Sequence, residues 1–167
     1  MERLLTSAEF PKEYPRNFYL IAVDDISELP LLVKPSSRNF GLLVAMDATE
    51  VDPDVIAVAA TALIRRGLAY VCCWGPDCSA VHDVFDLAEI GLEISKELKH
   101  PDPDDTLMST WHDDETLQQA VGFFGRTAFP TNSFVDTTHD WFAVSVGHPE
   151  WEQIIREEIT RGFPSMR

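Results

Sequence analysis

The chain has 167 residues, 45% of them hydrophobic and 25% charged, with 28 acidic against 13 basic side chains and a net charge of −15. That length suits a single domain whose core needs neither disulfide nor metal. The negative field argues against phosphate backbones and anionic membrane surfaces, and favours a basic protein partner, a cation or another small ligand.

Three cysteines, two of them adjacent in an apolar run, make no disulfide framework and fit a reducing cytoplasm. The first six residues are too polar for a signal peptide. No apolar run reaches the length of about 18 residues that a membrane span needs.

Residues 1–16 hold Pro11, Pro15 and several charges, and are expected as an irregular or partly helical arm. The run 17–23 is apolar and rich in strand formers, and reads as a buried strand ended by Asp24 and Asp25. Residues 29–33 suit a short extra strand or a turn of helix. A second strand, 40–46, ends at Asp47. Asp52 then reads as an N-cap with Pro53 in the first turn. Val55, Val58, Ala59, Ala62 and Leu63 recur at helical spacing until Arg65-Arg66-Gly67 closes the helix.

A third strand, 68–74, runs into the turn Gly75-Pro76-Asp77. Asp77 is expected to cap a helix from Cys78 to about Ile90, and 91–105 reads as a surface loop with Pro101 and Pro103. A short fourth strand is expected at 106–110. A helix capped by Asp113 or Asp114 then runs to about Gly125. A strand at 141–146 and a helix at 149–161, with Trp151, Ile154, Ile155 and Ile159 inward, complete the chain. Alternating strands and helices predict an α/β fold, a three-layer Rossmann-like or flavodoxin-like sandwich around a mainly parallel sheet of about five strands.

In such a sheet ligands bind at the carboxyl ends of the strands. Those ends carry Asp24 and Asp25, then Asp47, then Cys73, Trp74 and Asp77, then Trp111, His112 and Asp113, and finally Gly147 and His148. Cys78 and His82, four apart on one helix face, together with Cys73 and His112 would make a tetrahedral zinc set. Neither a CxxC nor an HxxxH pair supports it, and Cys72 and Cys73 also read as core residues.

Cys78 in a first helical turn is also a candidate nucleophile. His82 or His112 would act as its base, oriented by Asp83 or Asp113. Against it, the nearby Asp77, Asp83 and Asp86 raise a thiol pKa. Asp24-Asp25 with Asp47 resembles the acidic set of phosphoacceptor receiver domains. However, the third strand ends in Cys73-Trp74 rather than an aspartate, and no lysine follows the last strand. No GxGxxG, Walker-type lysine or GxSxG elbow occurs, and Ser109 and Thr110 lack the glycine context of a nucleophile. Trp74 and Trp111 offer flat platforms for a base, a cation or a partner's side chain, or serve as plugs over the core.

The segments Cys73-Trp74-Gly75-Pro76-Asp77-Cys78, Val81-His82-Asp83 and Ser109-Thr110-Trp111-His112 resemble the WGPDC, VHD and TTWH signatures of a family of small bacterial proteins with a domain of unknown function. The third departs by one residue. The resemblance covers about 17–125 and implies a bacterial origin without an activity. Two functions remain. One is a non-catalytic binding module using Trp74, Asp77, Trp111, Asp113, Asp24 and Asp25. The other is a hydrolase or transferase that depends on Cys78, His82 and His112, with or without zinc.

Overall fold

A computed structural model of the chain describes residues 1–6 and 15–163. One sheet holds six strands: β1 (Glu2–Thr6), β2 (Asn17–Val23), β3 (Asn39–Ala45), β4 (Leu68–Trp74), β5 (Met108–His112) and β6 (Thr138–Val146). Their order is β1-β2-β6-β3-β4-β5, and every neighbouring pair is parallel except β1 with β2.

A 3-10 turn (Ile26–Glu28) and α1 (Leu29–Leu32) follow β2. The longer helices are α2 (Pro53–Arg65), α3 (Cys78–Ile94), α4 (Leu117–Arg126) and α6 (Pro149–Arg161), with the short α5 (Asn132–Val135) between α4 and β6. The result is the mainly parallel three-layer α/β sandwich that the alternation predicts.

The central strands β3, from Phe40 on, and β4 are apolar because helices cover both of their faces. Alternation along the strands divides the core in two. Leu42, Val44, Val71, Cys73 and Phe142 pack against α2 and α3. Leu43, Tyr70, Cys72, Trp141 and Ala143 pack against α4 and α6. Trp141 lies directly on Gly41, where any Cβ would collide with its ring.

Several elements differ from the sequence expectations. The N-terminal arm begins as a strand, β1, which adds an antiparallel edge to β2 and makes six strands rather than five. The remainder of the arm, 7–14, lies outside the described residues. Beyond it, the buried Arg16 donates to the carbonyls of Phe124 (3.2 Å) and Ala128 (2.6 Å), and its guanidinium lies 4.0 Å from the Trp141 ring centre. A cation at the C-terminal end of α4 is favoured by the helix dipole. Burial lowers the Arg16 pKa to about 10.

Helix α3 continues to Ile94, past the expected stop near Ile90. The strand after it begins at Met108 rather than at residue 106, because Thr106 and Leu107 are engaged elsewhere. Both donate to the buried carboxylate of Glu89, Thr106 Oγ1 at 2.8 Å and the Leu107 amide at 2.6 Å. Helix α4 is capped by Thr116 rather than by Asp113 or Asp114. Thr116 Oγ1 accepts from the Gln119 amide and the Gln119 side chain accepts from the Thr116 amide, a capping box. The cap expected at Asp52 is present, accepting from the Asp54 amide at 2.9 Å.

Candidate functional site

Helix α3, which follows β4, lies in one layer, and α4, which follows the neighbouring β5, lies in the other. Adjacent strands whose connections diverge in this way open a crevice at their carboxyl ends, where ligands of parallel sheets bind. Here the crevice is a cleft of about 430 Å³ lined by Trp74, Asp77, His112, Asp113, Glu115 and Trp151, among others. That volume falls within the range of about 300–1,000 Å³ typical of small-molecule sites.

The floor is set by the turn after β4. Gly75 has φ +118°, and a Cβ there would strike the Met46 carbonyl oxygen. The Met46 amide donates to the Trp74 carbonyl and the Ala48 amide to that of Pro76, both at 3.0 Å. The turn is thereby tied to the exit of β3. Asp77 stands at the helix start, but in the left-handed region (φ 59°), and its side chain makes no capping bond. The expectation that Asp77 caps α3 is therefore corrected. In that conformation its carboxylate is turned from the first-turn amides, and the residue stays exposed at the cleft.

The walls are aromatic and the rim acidic. Trp74 Nε1 donates to the Glu115 carbonyl at 2.8 Å. The rings of Trp74 and Trp151 meet edge to face at 5.1 Å and 84°. Trp151 in turn stacks on His148 at 3.7 Å. His112 is buried with both nitrogens engaged. Nδ1 lies 2.9 Å from Glu115 Oε2, Nε2 lies 3.2 Å from Thr110 Oγ1, and the ring packs on Phe123. Asp113 and Glu115 are exposed beside Asp77.

Trp111 belongs to the other face. In the parallel register His112 pairs with Trp74, whereas Trp111 pairs with Cys73. Trp111 is 49% exposed and lies 4.7 Å from the His82 ring of α3. His82 Nδ1 is 3.0 Å from Asp83 Oδ1, and its Nε2 is 2.9 Å from Ser109 Oγ. Ser109 Oγ also donates to Asp86 Oδ1 at 2.7 Å. The sheet thus separates two groups: Trp74, His112 and Glu115 on the α4–α6 side, and Trp111, His82 and Ser109 on the α3 side. Ser109 lacks the glycine context that marks a nucleophile in a sequence. Its link to His82 and Asp86 depends on how α3 lies over β5, which residue spacing does not encode.

The Cys78 side chain is buried in the core with Val81 and Phe85. Burial raises its thiol pKa, only partly opposed by a hydrogen bond from the His112 backbone amide. Among the described residues no hydrogen bond joins its sulfur to the His82 or His112 ring. Cys72 and Cys73 are also buried, and burial pushes both thiols well up.

Among the described residues the metal-type ligands that converge are not this cysteine and histidine set. They are Glu89, Glu93 and His100, whose ligand atoms lie within 4.8 Å of one another. Glu89 is already held by Thr106, Leu107 and His100.

Asp25 has a local task. Its side chain accepts from the Ser27 amide at 2.8 Å while Glu28 accepts from the Asp25 amide, capping the 3-10 turn. Asp24 lies at a second, smaller cleft of about 240 Å³ between β2 and β6, shared with Glu28, His148 and Glu152. The His148–Trp151 stack joins the two clefts along the carboxyl edge.

Among the described residues no helix is long and apolar enough to cross a membrane. No curated protein matches the chain. Residues 18–162 match the family described as "Domain of unknown function (DUF7684)", and the chain belongs to that family. The match extends beyond the motif-bearing stretch of about 17–125 and takes in Trp151 on α6.

Proposed function

We propose that this chain is a non-catalytic binding module that takes a cationic group, such as a basic side chain of a partner protein, into the cleft walled by Trp74 and Trp151. One observation carries this reading. Two tryptophans from different elements meet at 5.1 Å beneath a rim formed by Asp77, Asp113 and Glu115. Aromatic faces attract cations, the more so where water is partly excluded. Tryptophan is also a favoured anchor at protein interfaces. The net charge of −15 draws basic partners toward this edge and works against nucleic acids and anionic lipids. Three buried thiols suit the cytoplasm.

The Cys/His-dependent reading gains less from the geometry. Cys78 lies in the core with a raised thiol pKa, and the sheet lies between His82 and His112.

The test is a titration of nitrogen-labelled protein with an oligoarginine peptide, with an oligoglutamate peptide as control, following the indole N–H resonances. The Trp74 and Trp151 signals should move with oligoarginine alone, and Trp74→Ala should weaken binding by about tenfold. If Trp74→Ala leaves the affinity unchanged, or if the Trp74 and Trp151 signals stay still while others move, the cleft is not the binding site.

A further inference from the structure

A cleft of opposite character lies at the other edge of the sheet. It measures about 170 Å³ and opens at the amino ends of β3 and β4. Ile64, Leu68 and Phe134, each almost wholly buried, form its apolar floor, and Arg38, Lys99 and His100 supply its basic groups. The chain carries 28 acidic side chains, yet none of them lines this cleft.

Arg38 and Lys99 are held at the backbone and uncommitted at the side chain. Gly67, with φ +99°, lies against the Arg38 carbonyl, and its own carbonyl accepts from Asn39 Nδ2 and from the Phe40 amide, both at 3.1 Å. Lys99 is held from either side. The Leu98 amide donates to the Leu92 carbonyl at 3.1 Å, and His100 Nε2 lies 2.8 Å from Glu89 Oε1 and 3.3 Å from Glu93 Oε1. Among the described residues neither the Arg38 nor the Lys99 side chain makes an ion pair or a hydrogen bond. The carboxylates of the flanking segments are engaged elsewhere. Glu89 and Glu93 meet His100, Glu97 pairs with Arg65, and Asp105 accepts from Thr131 Oγ1 and the Asp102 amide. Asp102 and Asp136, next in sequence to the lining Pro101 and Thr137, are exposed and do not line the cleft.

We propose that this cleft binds a small organic carboxylate, its acid group held by Arg38 and Lys99 and its short apolar tail resting on Ile64, Leu68 and Phe134. Arginine offers a planar fork that matches a carboxylate, and lysine adds a point charge beside it. The apolar floor favours an anion with a tail over a bare inorganic one, because the tail and the floor then leave water together. The volume lies below the range of about 300–1,000 Å³ typical of small-molecule sites, so the tail is of a few carbons only. The net charge of −15 opposes an anion at long range. Screening over about 8 Å at physiological ionic strength leaves the outcome to the local groups. The site is independent of the tryptophan cleft, which occupies the opposite edge of the sheet.

The experiment is a titration of the nitrogen-labelled full chain with sodium 3-methylbutanoate, with the neutral 3-methylbutanamide and with acetate as controls. The amide resonances of Gly67, Leu98, Lys99 and Phe134 should shift saturably with 3-methylbutanoate, while the Trp74 and Trp151 indole signals stay still. Arg38→Ala and Lys99→Ala should each weaken binding by about tenfold. Both residues are exposed, so the melting temperature of either variant should match wild type. Acetate, which lacks the branched tail, should bind at least about tenfold more weakly. Absence of a saturable shift at tens of millimolar 3-methylbutanoate overturns the proposal. Equal binding of the amide means that the charge is not read, and equal binding of acetate means that the tail is not used; either result overturns it. Wild-type affinity in both alanine variants places the anion elsewhere and overturns it too.

Discussion

Trp151 of α6 and Trp74 at the end of β4 meet edge to face, with ring centroids 5.1 Å apart and planes at 84°. The contact joins the last helix to the turn that opens α3, so the cleft wall is built from two distant parts of the chain. A pair in this geometry contributes about 0.5–1.5 kcal/mol beyond the area it buries. Trp151→Ala loses both the pair and the area that the half-buried ring covers, and should lower stability by about 2–3 kcal/mol in thermal or urea melts, and weaken oligoarginine binding in calorimetry by about tenfold. Trp151→Phe should keep most of both. If the alanine variant loses stability but binds the peptide as wild type does, the pair is only structural.

Gly75 holds the floor of that cleft. Its φ of +118° is one that side-chain-bearing residues rarely adopt, and the Met46 carbonyl occupies the place a Cβ would need. Gly75→Ala should cost about 2–3 kcal/mol from strain and backbone displacement together. It should also move the Trp74 indole resonance, because the turn carries that residue's C-terminal flank. Gly91→Ala, with open space around its Cβ and an ordinary helical backbone, is the matched control and should raise stability by about 0.5–1 kcal/mol.

The parallel sheet and most helices were legible because their signals are local. Strands β2 and β4 and helix α6 fall on the expected residues, since apolar runs, Asp-Pro and Gly-Pro punctuation and a 3.6-residue period all lie within a few positions. The site was legible only to the level of which strand ends carry it. Trp74 and Trp111 both end strands, but the side each faces depends on register. The pairing of Trp74 with His112, and of Cys73 with Trp111, turns the two tryptophans to opposite layers. The limit at Trp151 was different. Its helix was expected with Trp151 inward, but the insertion of β6 between β2 and β3 is what brings α6 to the end of β4. That placement is a property of topology, and a 3.6-residue period carries no trace of it.

The thiols give a further test. Burial raises the pKa of Cys72, Cys73 and Cys78, and all three side chains lie in the core. A thiol reacts as its thiolate and only where a reagent reaches it. Folded protein at pH 8 should show no rapid reaction with a disulfide reagent, whereas denatured protein should titrate all three. Rapid stoichiometric labelling of folded protein, traced to Cys78, would revive a nucleophilic role for that residue.

Asp140 gives the pH dependence its clearest source. The residue is buried at the start of β6, and its carboxylate accepts from the Ser36 amide (2.6 Å), Ser36 Oγ (2.8 Å), the Ser37 amide (3.0 Å) and Asn17 Nδ2 (3.1 Å). Burial by itself would raise its pKa, but these donors outweigh it and hold the carboxyl below the ordinary 3.8. A depressed native pKa means that the unfolded chain binds the proton more readily. The stabilisation is therefore fully present above 3.8 and is lost as the pH falls through the lower native value. Asp140→Asn removes that dependence and leaves an amide facing donors. It should cost about 2 kcal/mol at neutral pH and flatten the loss of stability in acid, measured by urea melts at successive pH values below about 4. An acid limb as steep in the variant as in wild type would assign that loss to carboxylates other than Asp140.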